Sequence, residues 1–220
     1  MRIVAARRIS QLFFFALFIW FCVAATLGER WWQLRGWPVN WLIELDPLTG
    51  LATLLSTGTL YAGLLWGLAT IGLTLCFGRV FCGFICPFGA MHQFIGWLGR
   101  RSRKTAAQLA LNRPHPAQAA KYYILALMLA ASILMPGGFV SSGSLQTGLL
   151  DPLPLVHRSV NLILMPLADR PGWGPSSAPR FYEGAWLIGA VFFSALLLNL
   201  KTPRFYCRYV CPLGALLGLL

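Results

Sequence analysis

The sequence predicts an all-α integral membrane protein: four transmembrane helices arranged as two tandem two-helix repeats, with short interfacial helices on the outer side. Three observations carry that expectation. The chain of 220 residues is 57% hydrophobic and only 11% charged, outside the balance of a soluble domain. Four apolar stretches approach the ~20 residues that cross a hydrocarbon core as a helix. The motif RVFCGFICPFGA at 79–90 returns as RFYCRYVCPLGA at 204–215, an internal repeat with an offset of 125 residues.

The first apolar stretch runs from about Ile9 to Leu27, behind Arg2, Arg7 and Arg8. It is long for a signal sequence, and Thr26-Leu27-Gly28-Glu29 is a poor small-residue cleavage site, so it reads as a retained anchor. The other stretches cover about 59–78, 122–140 and 182–200. An Asp-Pro step stands in each half, Leu45-Asp46-Pro47-Leu48 and Leu150-Asp151-Pro152-Leu153, at an offset of 105. Aspartate is a favoured N-cap and proline suits the first helical position, so each step should open a short helix. The apolar stretches that follow, Leu48 to Leu55 and Leu153 to Leu167, are too short or too interrupted to span, and are expected to lie at the outer interface or dip into it. Trp31, Trp32, Trp37 and Trp41 read as an aromatic belt on that side rather than as a quinone pocket.

Charge placement orients the bundle. The N-terminal arm, the segment from Arg79 to Lys121 and the tail from Lys201 carry three, seven and three basic residues and no acid. The alternate segments hold all six acids: Glu29, Glu44, Asp46, Asp151, Asp169 and Glu183. By the positive-inside rule the acid-free side is cytoplasmic, which puts both termini inside. Residues 1–100 form the first repeat with its cysteine motif, 101–120 a basic cytoplasmic linker, and 121–220 the second repeat. The net charge of +12 is then mostly a topology signal. Anionic membrane lipid is the simpler partner for the basic run at 100–104, and no nucleic acid is expected.

The cysteine motifs fall on the reducing side, where a structural disulfide is disfavoured. Proline bars its predecessor from helical geometry and starts a helix well, so Cys86 and Cys211 should cap helices that begin at Pro87 and Pro212. A helix N-terminus and nearby arginines are expected to favour the thiolate. Cys-x-x-x-Cys-Pro is also the closing part of the bacterial ferredoxin run. Cys82, Cys86, Cys207 and Cys211 would together supply the ligand set of a [4Fe-4S] cluster, with tetrahedral zinc as the alternative use of four thiolates. Cys22 and Cys76 lie within expected spans and read as small buried hydrophobes. His92 and His115 read as interfacial side chains on the basic side. His157 reads as a solvated histidine, with quinol proton exchange as its functional alternative. The sequence displays no phosphate loop, serine elbow or paired-carboxylate constellation.

Two Cys-x-x-x-Cys-Pro-x-Gly motifs on the cytoplasmic side of a four-helix core, here CGFICPFGA and CRYVCPLGA, resemble the NapH/NosR-type membrane polyferredoxins. The resemblance covers most of the chain. It implies a multi-pass redox component of the bacterial inner membrane, passing electrons between quinol or cytoplasmic donors and a respiratory or reductase system. Redox partner proteins and a quinone cofactor belong to that expectation. Residue by residue, it carries over only to Cys82, Cys86, Cys207 and Cys211 with their Pro and Gly neighbours. Members of the family continue into a soluble domain with full ferredoxin runs. This chain ends at Leu220, equivalent to Ile95 in the first copy, so a further region is expected in the intact protein. Two functional classes stay open: an electron-transfer subunit, such as a quinol dehydrogenase component, or a non-catalytic assembly or anchoring factor whose cysteines handle metal or dock a partner.

Overall fold

A computed structural model of the chain describes residues 2–27, 41–59, 63–78, 80–100, 115–134, 149–164 and 185–220. The described elements are helical, and no strand occurs among the described residues. The first helix, α1 (Arg2–Leu27), is about 39 Å long at 1.5 Å per residue. Its Val4–Ala25 segment is long and apolar enough to cross a membrane, and among the described residues no other helix reaches that length. The apolar helices α4 (Leu64–Phe77) and α8 (Ala185–Lys201) are shorter, as is α6 (Ala120–Leu134). Parts of the second, third and fourth expected spans lie outside the described residues. So do Trp31, Trp32, Trp37 and most of the linker.

The remaining helices are α2 (Trp41–Glu44), α3 (Pro47–Thr57), α5 (Pro87–Arg100), α7 (Pro152–Ser159), α9 (Phe205–Tyr209) and α10 (Pro212–Leu219). Their packing recurs between the halves. Helix α3 packs on α4, and α7 on α8; α5 packs on α1, and α10 on α6; α10 packs on α3, and α5 on α7. The tightest joint between the halves is that of α5 with α8. Gly99 permits it, because a Cβ there would stand 3.2 Å from the carbonyl oxygen of Leu200.

Both Asp-Pro steps open helices, as the capping chemistry requires. Asp46 has extended backbone geometry, and its Oδ1 accepts the Leu48 N–H at 2.9 Å. Asp151 has the same backbone geometry at the start of α7, but its Oδ2 accepts the Thr49 hydroxyl of the other half, at 3.2 Å. Neither residue lies on an outer surface: both are fully buried. Helix α3 doubles back along α4, ending at Gly58 in a left-handed cap (φ 66°). Its beginning rests against the middle of α4, with the Thr70 hydroxyl donating to the Leu45 carbonyl at 2.7 Å. The N-termini of α3 and α7 therefore meet inside the bundle rather than at its edge.

Cys22 is fully buried on α1, as expected, whereas Cys76 is exposed on α4. Periodicity does not separate these cases, because an apolar helix offers a cysteine the same neighbours on every face. His115 caps the 3₁₀ turn Pro116–Ala119 through Nδ1, at 3.2 Å from the Ala117 nitrogen. His157 is not simply solvated: its ring stands edge-on to Phe18 of α1, at 6.3 Å between centroids.

Candidate metal centre

The two cysteine motifs close on the same backbone hydrogen bond. In the first, a π-helical turn at Phe81–Ile85 ends with the Cys86 N–H donating to the Phe81 carbonyl at 2.9 Å. In the second, the Cys211 N–H donates to the Tyr206 carbonyl, five residues back, also at 2.9 Å. Cys86 and Cys211 are extended, with ψ 117° and 110°, because the proline that follows each forbids the helical region. Pro87 and Pro212 then open α5 and α10. Turns of the π type recur at functional sites, since the extra residue swings a side chain out of helical register.

Two sulfurs sit deep and two nearer the surface: Cys86 and Cys211 are buried, while Cys82 and Cys207 are half-buried. Cys211 Sγ accepts the Gly214 N–H at 3.2 Å, and the Cys86 thiol accepts from the N–H groups of Gly89 and Phe88. These bonds favour the thiolate, as the motif predicts, but burial outweighs them. The Cys86 and Cys211 thiols are held well above the ordinary range, by burial first and by the neighbouring cysteines second. Burial also pushes Cys207 up to about 12, with Cys82 adding to the rise and Arg204 and Lys121 opposing it. The expectation of stabilised thiolates is thus corrected. These thiols keep their protons near neutral pH until a metal displaces them.

Thiols of the two halves lie near enough to act on one another. Cys82 acts on Cys86, Cys207 and Cys211, and Cys207 acts on Cys86 and Cys211. Among the described residues, however, no three Cys, His, Asp or Glu side chains gather closely enough to hold one metal ion. A cubane takes its four thiolates on four different irons, whereas zinc draws every sulfur to ~2.3 Å from a single centre. The donor set, two deep sulfurs and two shallower ones from paired turns, fits such a cluster.

The surrounding residues were not legible as site residues in the sequence. Gln93 Oε1 gathers donors from both halves: Arg7 at 2.5 Å, Gln11 at 3.0 Å and Arg204 at 3.4 Å. Gln11 also donates to the Gly83 carbonyl inside the first motif, at 2.7 Å. Arg204, the residue that opens the second motif, is left-handed at φ 55°, held by its N–H bond to Asn199 Oδ1 at 2.6 Å. Asn199 in turn donates to the His92 carbonyl at 2.6 Å, tying α8 to α5. His92 is buried, not interfacial, and burial lowers its pKa to about 4, with Arg204 acting in the same direction. The match of Arg79 with Arg204 across the repeat was the available signal; Gln11, Gln93 and Lys121 had none.

Glycine occupies the third position after the second cysteine of each motif for steric reasons that differ between copies. A Cβ on Gly89 would stand 2.7 Å from the Cys82 carbonyl oxygen, a backbone atom that cannot swing away. On Gly214 the nearest atom would be Cys211 Sγ at 3.4 Å, an ordinary contact. Gly89→Ala is therefore expected to cost about 1–3 kcal/mol through overpacking, and Gly214→Ala clearly less. Denaturant unfolding of the two variants checks this, and equal midpoints would contradict it.

A protein-family model described as a 4Fe-4S binding domain matches residues 59–105 and 183–220, which include all four cysteines of the two motifs. The chain is similar to the ferredoxin-type protein NapH of Escherichia coli, at 30% identity over 229 aligned residues covering 100% of this chain and 66% of that protein. It is similar to the regulatory protein NosR of Pseudomonas aeruginosa, at 28% over 156 residues, covering 71% of this chain and 18% of NosR. The methylamine utilization ferredoxin-type protein MauN of Methylorubrum extorquens matches at 29% over 177 residues, covering 79% of this chain and 50% of MauN. No solved structure matches. The chain thus spans less than two thirds of the length of these relatives. The paired Cys-Pro turns, the helical scaffold that joins them and these similarities agree: the chain belongs to the NapH/NosR-type ferredoxin-like membrane proteins.

Proposed function

We propose that the chain is a membrane electron-transfer subunit in which Cys82, Cys86, Cys207 and Cys211 hold one [4Fe-4S] cluster on the cytoplasmic side, linking quinol or cytoplasmic donors to a respiratory or reductase system. The observation that carries the reading is a pair of turns, each closed by the N–H of its second cysteine onto the carbonyl five residues back, that together present four thiols near enough to act on one another. When bound, such a cluster supplies one-electron transfer. The protein's part is to supply the four sulfurs, direct backbone N–H groups of α5 and α10 at two of them, and exclude water with Phe88 and Tyr206, both buried. Arg204 and Lys121 lie near enough to Cys207 to offset the negative charge that four thiolates bring.

The test is iron and acid-labile sulfide analysis, with electron paramagnetic resonance, on anaerobically purified protein. A reversible cluster signal with four irons per chain is the expected result. A fully metallated sample with no redox signal would favour an assembly or anchoring role instead.

The membrane reading extends to four spans with both ends of this chain in the cytoplasm of a bacterial cell. It is supported by the matched packing of the halves and by the exposed apolar side chains of several helices. Ile9, Leu12 and Phe13 on α1, Leu65 and Phe77 on α4, and Trp186 and Leu197 on α8 are all more than half exposed, the arrangement lipid requires. Reporter fusions after Arg103 and at the C-terminal end are expected to be cytoplasmic, and fusions near Arg35 and Ser176 to be exported. An exported reporter at Arg103 would reverse the orientation.

A further inference from the structure

We propose that Asp46 and Asp151 form one buried proton-binding site whose occupancy follows the charge on the cysteine site. The proposal rests on the iron-sulfur reading for its coupling, but the site itself stands on the carboxyl geometry. Both side chains are fully buried. One oxygen of each is satisfied by a donor: Asp46 Oδ1 by the Leu48 N–H, and Asp151 Oδ2 by the Thr49 hydroxyl. The other two oxygens, Asp46 Oδ2 and Asp151 Oδ1, meet no donor from the described residues. The two carboxyl groups nevertheless lie within hydrogen-bonding reach of each other. Two ionised carboxylates side by side in a dry interior repel strongly, and each would keep an unsatisfied oxygen. A single proton between them answers both problems, because one oxygen then donates and the other accepts. The remaining negative charge sits where the N-termini of α3 and α7 converge, and helix dipoles favour it there.

The pair is also connected to the cysteines. The Tyr206 hydroxyl donates to the carbonyl of Leu150, next to Asp151, while Tyr206 itself precedes Cys207. Tyr206 is buried, with its hydroxyl at the Leu150–Asp151 step and its backbone carbonyl accepting the Cys211 N–H at 2.9 Å. Of the described titratable groups on the surrounding helices, Tyr206 is the one that reaches both. His92 and His157 answer to Arg204 and Arg158, and Lys121 acts on Cys207. In the resting state the pair holds one shared proton and one negative charge. Were a cluster held by the four cysteines, its reduction by one electron from a quinol or a chemical reductant would add a negative charge nearby, and the pair would take up one further proton from solution or from the quinol hydroxyl. Reoxidation would release it. Burial raises both carboxyls above their ordinary range, which places this exchange nearer neutrality than that of a surface aspartate.

Two measurements on the full chain test the proposal separately. Infrared spectroscopy of the purified protein should show a protonated-carboxyl band near neutral pH that shifts in deuterium oxide and is lost in the Asp46→Asn/Asp151→Asn double variant. Asparagine caps a helix about as well as aspartate, so the double variant should still fold. Absence of the band in the unsubstituted protein overturns the proton site, with or without a cluster. Redox titration of the cluster signal at several pH values should give a midpoint that falls as pH rises, and a midpoint independent of pH in the double variant. A pH-independent midpoint in the unsubstituted protein overturns the coupling. If no cluster forms in that protein, the iron-sulfur reading fails and the coupling with it, while the infrared band still decides whether the pair holds a proton.

Discussion

Serine at Cys82, Cys86, Cys207 or Cys211 is expected to abolish the four-iron cluster signal and to reduce bound iron severalfold, whereas Cys22→Ala and Cys76→Ala leave both unchanged. The hydroxyl is a poor substitute because iron-sulfur clusters select soft thiolate ligands. The two deep positions carry the larger consequence. At Cys86 and Cys211 serine would be enclosed, and its oxygen would inherit N–H donors placed for sulfur, at 3.2 Å in the case of Gly214. Iron and sulfide content with electron paramagnetic resonance measures the outcome. Retention of a full four-iron signal in any one of these variants would remove that cysteine from the ligand set.

Phe88→Ala is expected to cost about 3–5 kcal/mol of stability, the range for deleting a fully buried aromatic ring. Phe88 is fully buried two residues after Cys86, and three rings from two chain segments close around it. It stands edge-on to His92 at 4.4 Å and to Tyr206 at 4.9 Å, and is stacked on Phe192 at 5.8 Å. Truncation would open a cavity where α5, α8 and α9 join, the seam on which the two cysteine motifs depend for their mutual position. The control is Phe94→Ala on the same helix, where the ring is 67% exposed and the cost should stay within about 0.5 kcal/mol. Denaturant unfolding of the pair decides the matter: similar losses from both variants would mean that Phe88 does not seal the seam.

Local chemistry was readable in the one-dimensional chain because its causes lie within a few residues. Proline sets its own φ and restricts its predecessor, so Asp46-Pro47, Asp151-Pro152, Cys86-Pro87 and Cys211-Pro212 announced four helix starts, and all four occur. The repeated cysteine spacing likewise marked the candidate ligands, because a metal centre needs particular side chains at particular intervals. What the tertiary structure alone decided is how those starts are placed against one another. An aspartate that caps a helix at a wet interface and one that caps a helix in a dry interior have the same neighbours in sequence. Only the packing of α3 along α4 and of α10 against α3 separates them. Packing therefore turned two distant N-caps, 105 residues apart, into a carboxyl pair that the sequence does not display. It also buried His92 and exposed Cys76, left burial the winner over helix dipoles at the thiols, and placed Tyr206 between the carboxyls and the cysteines. Desolvation and contact depend on what the rest of the chain puts beside a residue, and for these residues the neighbours that matter come from the other half of the molecule.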